Sequence, residues 1–204
     1  VRSRGLGDVY KRQVLELFRD WLKANRSEAN VVYINKELQE FSDIATAKQL
    51  YDYAIARLPE GAENYLLIDE IQDVANYENA LRSLHAEARC QVIATGSNAY
   101  IFSSELGTHL SGRYIEIKVY NLSYGEFLQF LNMEDSDEAL MQYLRIGGLP
   151  GLHAFKPEEH SQINDYFEGV YNTILVKDIV RREKIRNVSQ LENVVRFVAD
   201  NVGK

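Results

Sequence analysis

The sequence lacks several features that would by themselves place it in a functional class. Cys90 is the only cysteine among 204 residues, so no internal disulfide can form. No apolar run is long enough to span a membrane and no signal-peptide pattern is present, so we expect a cytoplasmic protein. Internal repeats and low-complexity tracts are absent. We assign no histidine to a metal, because none has the spacing of a metal ligand: His85, His109, His153 and His160.

The charge balance is acidic. Lys and Arg total 23 against 30 Asp and Glu, which gives a net charge of −7. Such a chain has no global field for nucleic acid, although a local basic patch remains allowed. One cluster of basic residues could form such a patch. Because it lies at the end of a predicted helix, we favour its interpretation as a solvated face that complements the helix dipole. Its members are Lys177, Arg181, Arg182, Lys184 and Arg186.

An apolar run that ends in adjacent carboxylates is the most informative feature present. It spans residues 65–73, YLLIDEIQD. A strand buried on both faces is uniformly apolar, and open α/β sheets bind ligands at the carboxyl ends of their strands. This pattern is typical of a Walker B motif, in which Asp69 would hold Mg²⁺ through its water shell and Glu70 would orient or deprotonate the attacking water. An ordinary strand-to-loop transition is the alternative.

A second short apolar strand, Gln91–Thr95, is followed by Gly96-Ser97-Asn98, small polar residues that can approach a phosphate closely. This resembles the sensor 1 position of AAA+ ATPases. Asn98 is the first candidate to touch the γ-phosphate and the lytic water. Ser97 is the second, and Thr95 is a further candidate for nucleotide contact. A helix N-cap explains Ser97 and Asn98 equally well.

Later motifs extend the resemblance to a family. LSGRY at 110–114, NLSYGEFLQFL at 121–131 and GGLPG at 147–151 follow in fixed order. The set resembles prokaryotic AAA+ ATPases that carry an uncharacterised C-terminal domain, which implies ATP and Mg²⁺ as cofactors. In that family Arg113 is a candidate arginine finger, and a salt-bridged arginine at a strand edge is the alternative. A superfamily 1 helicase also has Asp-Glu-x-Gln-Asp, but the Gly-Asp-x-x-Gln segment of helicases is missing here.

No G-x-x-x-x-G-K-[ST] loop occurs in the sequence. Residues 3–13, SRGLGDVYKRQ, match no family and are what one reading frame of a common transposon-based sequencing adapter encodes. We therefore interpret residues 1–13 as foreign and exclude them from the fold. Without them the net charge is −10, because they carry +3. Natural sequence then begins near Val14, just after or within a phosphate loop, and the chain is expected to be a fragment that neither binds ATP tightly nor hydrolyses it.

The predicted fold class is α/β, a P-loop NTPase-like parallel sheet with flanking helices, followed by part of a helical region. The ATPase core spans 14–120 and the helical C-terminal region 121–204. The strands at Val31, Tyr65 and Gln91 are predicted to be parallel with the Tyr65 strand in the middle. A further strand, Tyr114–Val119, is expected to be poorly paired or displaced. Helices are predicted at 43–58, 77–88, 160–184 and 189–202, and a capping box at Ser123 predicts another.

Two functions remain open. The parent protein is either an Mg²⁺-dependent ATPase that couples nucleotide state to its C-terminal domain or a partner, or a regulatory or binding module, for DNA or a protein, on a degenerate ATPase core. The carboxylates Asp69 and Glu70 together with Asn98 favour the first, because a binding-only core need not keep a general base. The expected partners are ATP, an unidentified protein or DNA bound through the C-terminal region, and other copies of the chain in a homo-oligomer.

Overall fold

The computed structural model describes residues 6–96, 112–151, 160–173, 180, 185 and 187–202. The chain divides into two compact units, one of residues Gly7–Val119 and one that contains Tyr120–Lys204. In chain order the first unit holds α1 (Leu6–Asn25), β1 (Asn30–Asn35), α2 (Ala47–Ile55), β2 (Asn64–Asp69), α3 (Tyr77–Ala86) and β3 (Gln91–Ala94).

The three strands form one parallel sheet in the order β1-β2-β3. Register places Asn35 beside Asp69 at one end of the β1–β2 pair and Asn30 beside Asn64 at the other. Leu66 and Ile68 lie beside Val92 and Ala94 of β3. The predicted α/β class, the parallel direction and the central place of the Tyr65 strand are all confirmed.

Every residue of β2 is buried, because helices cover both faces of the sheet. On one face, α1 packs the ring of Phe18 edge-on against Tyr65 at 6.3 Å. On the other face, Leu66 and Ile68 join the buried apolar side chains of α2 and α3, including Leu50 and Leu84. A strand covered on both sides must be apolar throughout, which explains the uninterrupted run that precedes Asp69.

The start of α2 differs from the sequence prediction. The helix begins at Ala47, after an N-cap at Thr46, rather than at Asp43. Thr46 and Gln49 form a capping box in which each side chain bonds the other residue's backbone N–H. The capping box fixes the first turn, because it satisfies donors that have no partner within the helix. Apolar periodicity alone placed the boundary too early.

The start of α1 also differs. The sequence analysis excludes residues up to Gln13 from the fold, whereas the structure continues the helix back to Leu6. No proline interrupts this stretch, and Arg12 is buried through ion pairs. That the segment is foreign to the natural protein stays a prediction.

The segment Tyr114–Val119 forms no strand, although the expectation that it would be poorly paired is confirmed. Residues 114–120 carry no regular secondary structure, and Ile115 is 91% exposed. A strand needs a neighbour to accept and donate its ladder hydrogen bonds. Among the described residues this segment pairs with no strand, so its alternating pattern has no sheet to join.

Among its described residues, the second unit contains helices and no strand. Its helices are α4 (Tyr124–Leu131), α5 (Asp137–Ile146), α6 (His160–Thr173) and α7 (Val188–Asn201). The capping box predicted at Ser123 is confirmed, since the Ser123 side chain and Glu126 bond each other's backbone N–H. The predicted helix at 160–184 is described only as far as Thr173.

A close backbone contact explains one glycine of the GGLPG segment. The N–H of Leu122 donates to the carbonyl oxygen of Gly148 at 2.8 Å. A Cβ on residue 148 would lie 2.0 Å from the Leu122 carbonyl oxygen, so only glycine fits. The end of α5 is thereby joined to the segment that precedes α4. None of the described helices is both long and apolar enough to cross a membrane.

Candidate active site

Asp69 is the last residue of β2 and is fully buried, with 0% exposure. A carboxylate in this position needs compensating partners, because burial of an unpaired charge costs several kcal/mol. Its two oxygens have different partners. Oδ1 accepts a hydrogen bond of 2.5 Å from the Thr95 hydroxyl, and Oδ2 accepts one of 2.5 Å from Nε of Arg12.

Thr95 connects the end of β3 to the end of β2. Its N–H donates to the Ile68 carbonyl at 2.8 Å and its own carbonyl accepts from the Ile71 N–H at 3.0 Å. The Thr95 hydroxyl also accepts from the Glu70 N–H at 3.3 Å. These bonds extend the β2–β3 ladder past both strands and fix the backbone on either side of Glu70.

Glu70 has a left-handed backbone, with φ 60° and ψ 53°. This region costs an L-residue about 1–2 kcal/mol and is uncommon outside glycine, asparagine and aspartate. The turn buries the residue to 6% exposure, and Gln72 Nε2 donates to Glu70 Oε2. The two adjacent carboxylates therefore sit in different settings, Asp69 on the strand and Glu70 on a strained turn beyond it.

Arg12 brings a second carboxylate to the site. Its Nη2 lies 2.8 Å from Oε2 of Glu37, while its Nε bonds Asp69. Burial lowers the pKa of Arg12, but the hydrogen bonds and charges of Asp69 and Glu37 outweigh burial, so the pKa of the guanidinium is raised. Beside it, Nζ of Lys11 donates to the Gly96 carbonyl at 2.8 Å.

Glu37 was not identified by the sequence analysis. The side chain of Asn35, in register with Asp69, accepts from the Glu37 N–H at 2.9 Å and fixes the turn after β1. An Asn at the end of a strand with an acidic residue two positions later is the only sequence signal, and it is weak on its own. The side chain's place near Asp69 depends on the strand pairing.

The donor set suits a hard cation. Asp69, Glu37 and Thr95 offer oxygen atoms alone, and the site already holds the positive charge of Arg12. Arg12, which pairs with Asp69, lies in the segment that the sequence analysis interprets as foreign. No group of three or more Asp, Glu, His or Cys that could hold a metal occurs within the described ranges. Mg²⁺ commonly binds through one or two carboxylates and keeps several waters.

The charge of the site affects Tyr33 on β1. Its hydroxyl is buried and has no hydrogen-bond partner among the described residues. Burial first, and then the negative charges of Asp69 and Glu16, raise the pKa of Tyr33 to about 12. The phenol therefore stays neutral at physiological pH.

The remaining sequence candidates are less well placed. Ser97 and Asn98 lie outside the described residues. Arg113 follows Gly112, whose φ is +73°, and is exposed. The structure thus brings Asp69, Glu70 and Thr95 together, and the roles of Asn98 and Arg113 stay predictions.

Comparison of the sequence with known proteins identifies the family of the chain. A family model described as an AAA domain matches residues 13–128. An uncharacterized protein of Haemophilus influenzae is 33% identical over 95% of this chain and 49% of its own length. An uncharacterized protein of Methanocaldococcus jannaschii is 27% identical over 84% of this chain and 40% of its own length. The chain thus spans about half the length of these relatives.

No solved structure matches it significantly. With more than half of its residues matched, the chain belongs to the AAA domain family of P-loop ATPases.

Proposed function

We propose that the full-length protein binds ATP and hydrolyses it in a reaction that requires Mg²⁺. The main support is the arrangement at the end of β2, where the fully buried Asp69 pairs with the guanidinium of Arg12 and Glu70 follows on a left-handed turn. Burying carboxylates costs free energy of folding that an ordinary turn would avoid. Buried charged groups at a strand end are therefore more typical of a functional site than of a purely structural turn.

Asp69 and Glu70 have different proposed roles. Oδ2 of Asp69 would hold Mg²⁺ through the water shell of the metal ion, while Oδ1 stays hydrogen-bonded to the Thr95 hydroxyl. When bound, Mg²⁺ neutralises charge that develops on the phosphate oxygens. Glu70 would orient the attacking water and accept its proton, and the Gln72 amide holds the Glu70 carboxylate through Oε2.

Three further residues complete the proposal on the strength of the family resemblance. Asn98, with Ser97 beside it, would contact the γ-phosphate and the lytic water after β3. Arg113 would neutralise γ-phosphate charge, in its own subunit or in a neighbouring one of a homo-oligomer. The helical unit from Tyr120 onward would transmit nucleotide state to an unidentified protein or DNA partner, in the cytoplasm.

Phosphate release tests the proposal. The full-length protein is incubated with ATP in the presence of Mg²⁺ or of excess EDTA. We expect multiple turnovers with Mg²⁺ and none with EDTA. Absence of turnover with Mg²⁺, or equal turnover with EDTA, would overturn the proposal.

A further inference from the structure

Gln72 lies two residues after Glu70, and its side-chain amide bonds the Glu70 carboxylate. Resting on the proposed ATPase function, we propose that Gln72 is a second residue that holds the attacking water. Its Nε2 orients the Glu70 carboxylate, and its Oε1 accepts a hydrogen bond from the water that Glu70 deprotonates. Gln72 is then a catalytic residue, because it touches a reacting molecule.

The turn that carries Gln72 is anchored on both sides of the residue. Gln72 is the middle residue of a 3₁₀ turn. The N–H of Ile71 donates to the Thr95 carbonyl at 3.0 Å, and the Ile71 side chain is 1% exposed. The N–H of Asp73 donates to the Glu70 carbonyl at 3.1 Å. These contacts hold the backbone of Gln72 in a fixed place relative to Glu70.

The Glu70 carboxylate determines which way the amide of Gln72 is turned. An ionised carboxylate only accepts hydrogen bonds, whereas an amide donates through its nitrogen and accepts through its oxygen. Because Nε2 of Gln72 donates to Oε2 of Glu70, Oε1 of Gln72 faces another group. The reversed amide would place two acceptor oxygens against each other.

Oε1 of Gln72 is buried and has no hydrogen-bond donor among the described residues. A buried acceptor without a donor is unfavourable, and ordered water commonly supplies the missing bond. Oε1 and Nε2 are attached to the same carbon, so a water at about 2.8 Å from Oε1 can also reach the Glu70 carboxylate. The amide thus offers a place for one water beside the proposed base.

A water held between these two residues is oriented for phosphoryl transfer. Both of its protons must point away from phosphorus, so that a lone pair on its oxygen can attack. One proton passes to the Glu70 carboxylate, and the other stays hydrogen-bonded to Oε1 of Gln72. The water oxygen forms the new bond to the γ-phosphorus while the bond to the β–γ bridging oxygen breaks, and that electron pair leaves with ADP.

Hydrolysis of Mg-ATP by the full-length protein tests the proposal, with binding of a fluorescent ATP analogue measured alongside. Gln72→Met keeps the side-chain length without the amide, and Gln72→Lys keeps a donor for Glu70 without the acceptor. We expect both variants to lower kcat about tenfold, as for the loss of one hydrogen bond, with KM and analogue affinity unchanged. Gln39→Met, at an exposed glutamine of another 3₁₀ turn, is the matched control and should leave kcat unchanged.

A double-mutant cycle shows whether Gln72 and Glu70 act on the same water. In a Glu70→Gln background, Gln72→Met should lower the single-turnover rate far less than it does in the wild type, because residues that act as a unit are not additive. A purely structural role of Gln72 would lower the rate equally in both backgrounds.

The possible results separate this inference from the proposed function. A wild-type kcat in Gln72→Met or in Gln72→Lys, equal losses in the two backgrounds, or a comparable loss in Gln39→Met overturns the inference and leaves the ATPase proposal intact. A wild type that does not hydrolyse Mg-ATP overturns both. If Gln72→Met fails to fold by circular dichroism, Gln72→Asn, which withdraws the same amide by one methylene, replaces it and the same comparisons decide.

Discussion

The left-handed backbone of Glu70 leads to a stability prediction that is independent of activity. Replacement of Glu70 by Gly and by Ala removes the same carboxylate, including its bond from Gln72. The two variants then differ only in how well residue 70 tolerates φ 60°. Their difference in unfolding free energy therefore measures the strain in the backbone.

The magnitude follows from two opposed effects. An alanine in the left-handed region costs about 1–2 kcal/mol, whereas a glycine there costs almost nothing. Glycine loses about 0.5–1 kcal/mol more chain entropy on folding. Glu70→Gly is therefore expected to be more stable than Glu70→Ala by roughly 0.5–1 kcal/mol, the net of the strain and entropy estimates.

Urea unfolding of the 204-residue chain measures this difference, provided that the m-value is the same in both variants. Asp52, exposed in the middle of α2, provides the control. There Asp52→Gly should be less stable than Asp52→Ala by about 1 kcal/mol, the ordinary helix penalty of glycine. If glycine is the worse residue at both positions, Glu70 is not strained and the turn is not held as described.

Three other predictions follow from the structure. Asp69→Asn in the full-length protein should weaken ATP affinity in Mg²⁺ far more than in EDTA, because it removes the charge that faces the metal; titration calorimetry measures both. Leu67→Ala should destabilise the chain by about 2–5 kcal/mol, because Leu67 is fully buried. By contrast Leu17→Ala, at 70% exposure, should change stability by less than about 0.5 kcal/mol in the same urea titration. Burial raises the pKa of Tyr33 and of Tyr77 to about 12 and that of Cys90 to about 11. The folded state therefore holds these protons longer than the unfolded state, and stability should fall from about pH 9 towards pH 12. Constant stability over that window would show that the three groups are accessible to water.

The fold of the first unit could largely be predicted from the sequence, because its strongest signals are local. The apolar run before Asp69 requires cover on both faces, and the structure supplies α1 on one side and α2 with α3 on the other. The segment after Tyr114 shows the limit of such reasoning. Its alternation predicts a strand, and the sequence analysis expects that strand to be poorly paired, but without a neighbour no strand forms at all.

The proximity of Asp69, Glu70 and Thr95 could be predicted from the sequence, but their contacts and the place of Glu37 could not. The positions of Asp69 and Glu70 follow from the end of β2, and the sequence places Thr95 near the nucleotide. That the Thr95 hydroxyl bonds Asp69 depends on the register between β2 and β3. The contribution of Glu37 depends on the pairing of Asn35 with Asp69, across residues far apart in sequence. The φ angle of Glu70 leaves no mark in the sequence, since glutamate is not typical of left-handed turns.

Glu70→Gln in the full-length protein tests the central claim most directly, because glutamine keeps the size and hydrogen bonding of glutamate and loses only the base. The measurement is phosphate release from Mg-ATP, with binding of a fluorescent ATP analogue measured on the same protein preparation. We expect turnover to fall by about 10²-fold or more while ATP binding is retained. Near-normal hydrolysis by Glu70→Gln would show that Glu70 is not the catalytic base and would contradict the assignment of this site.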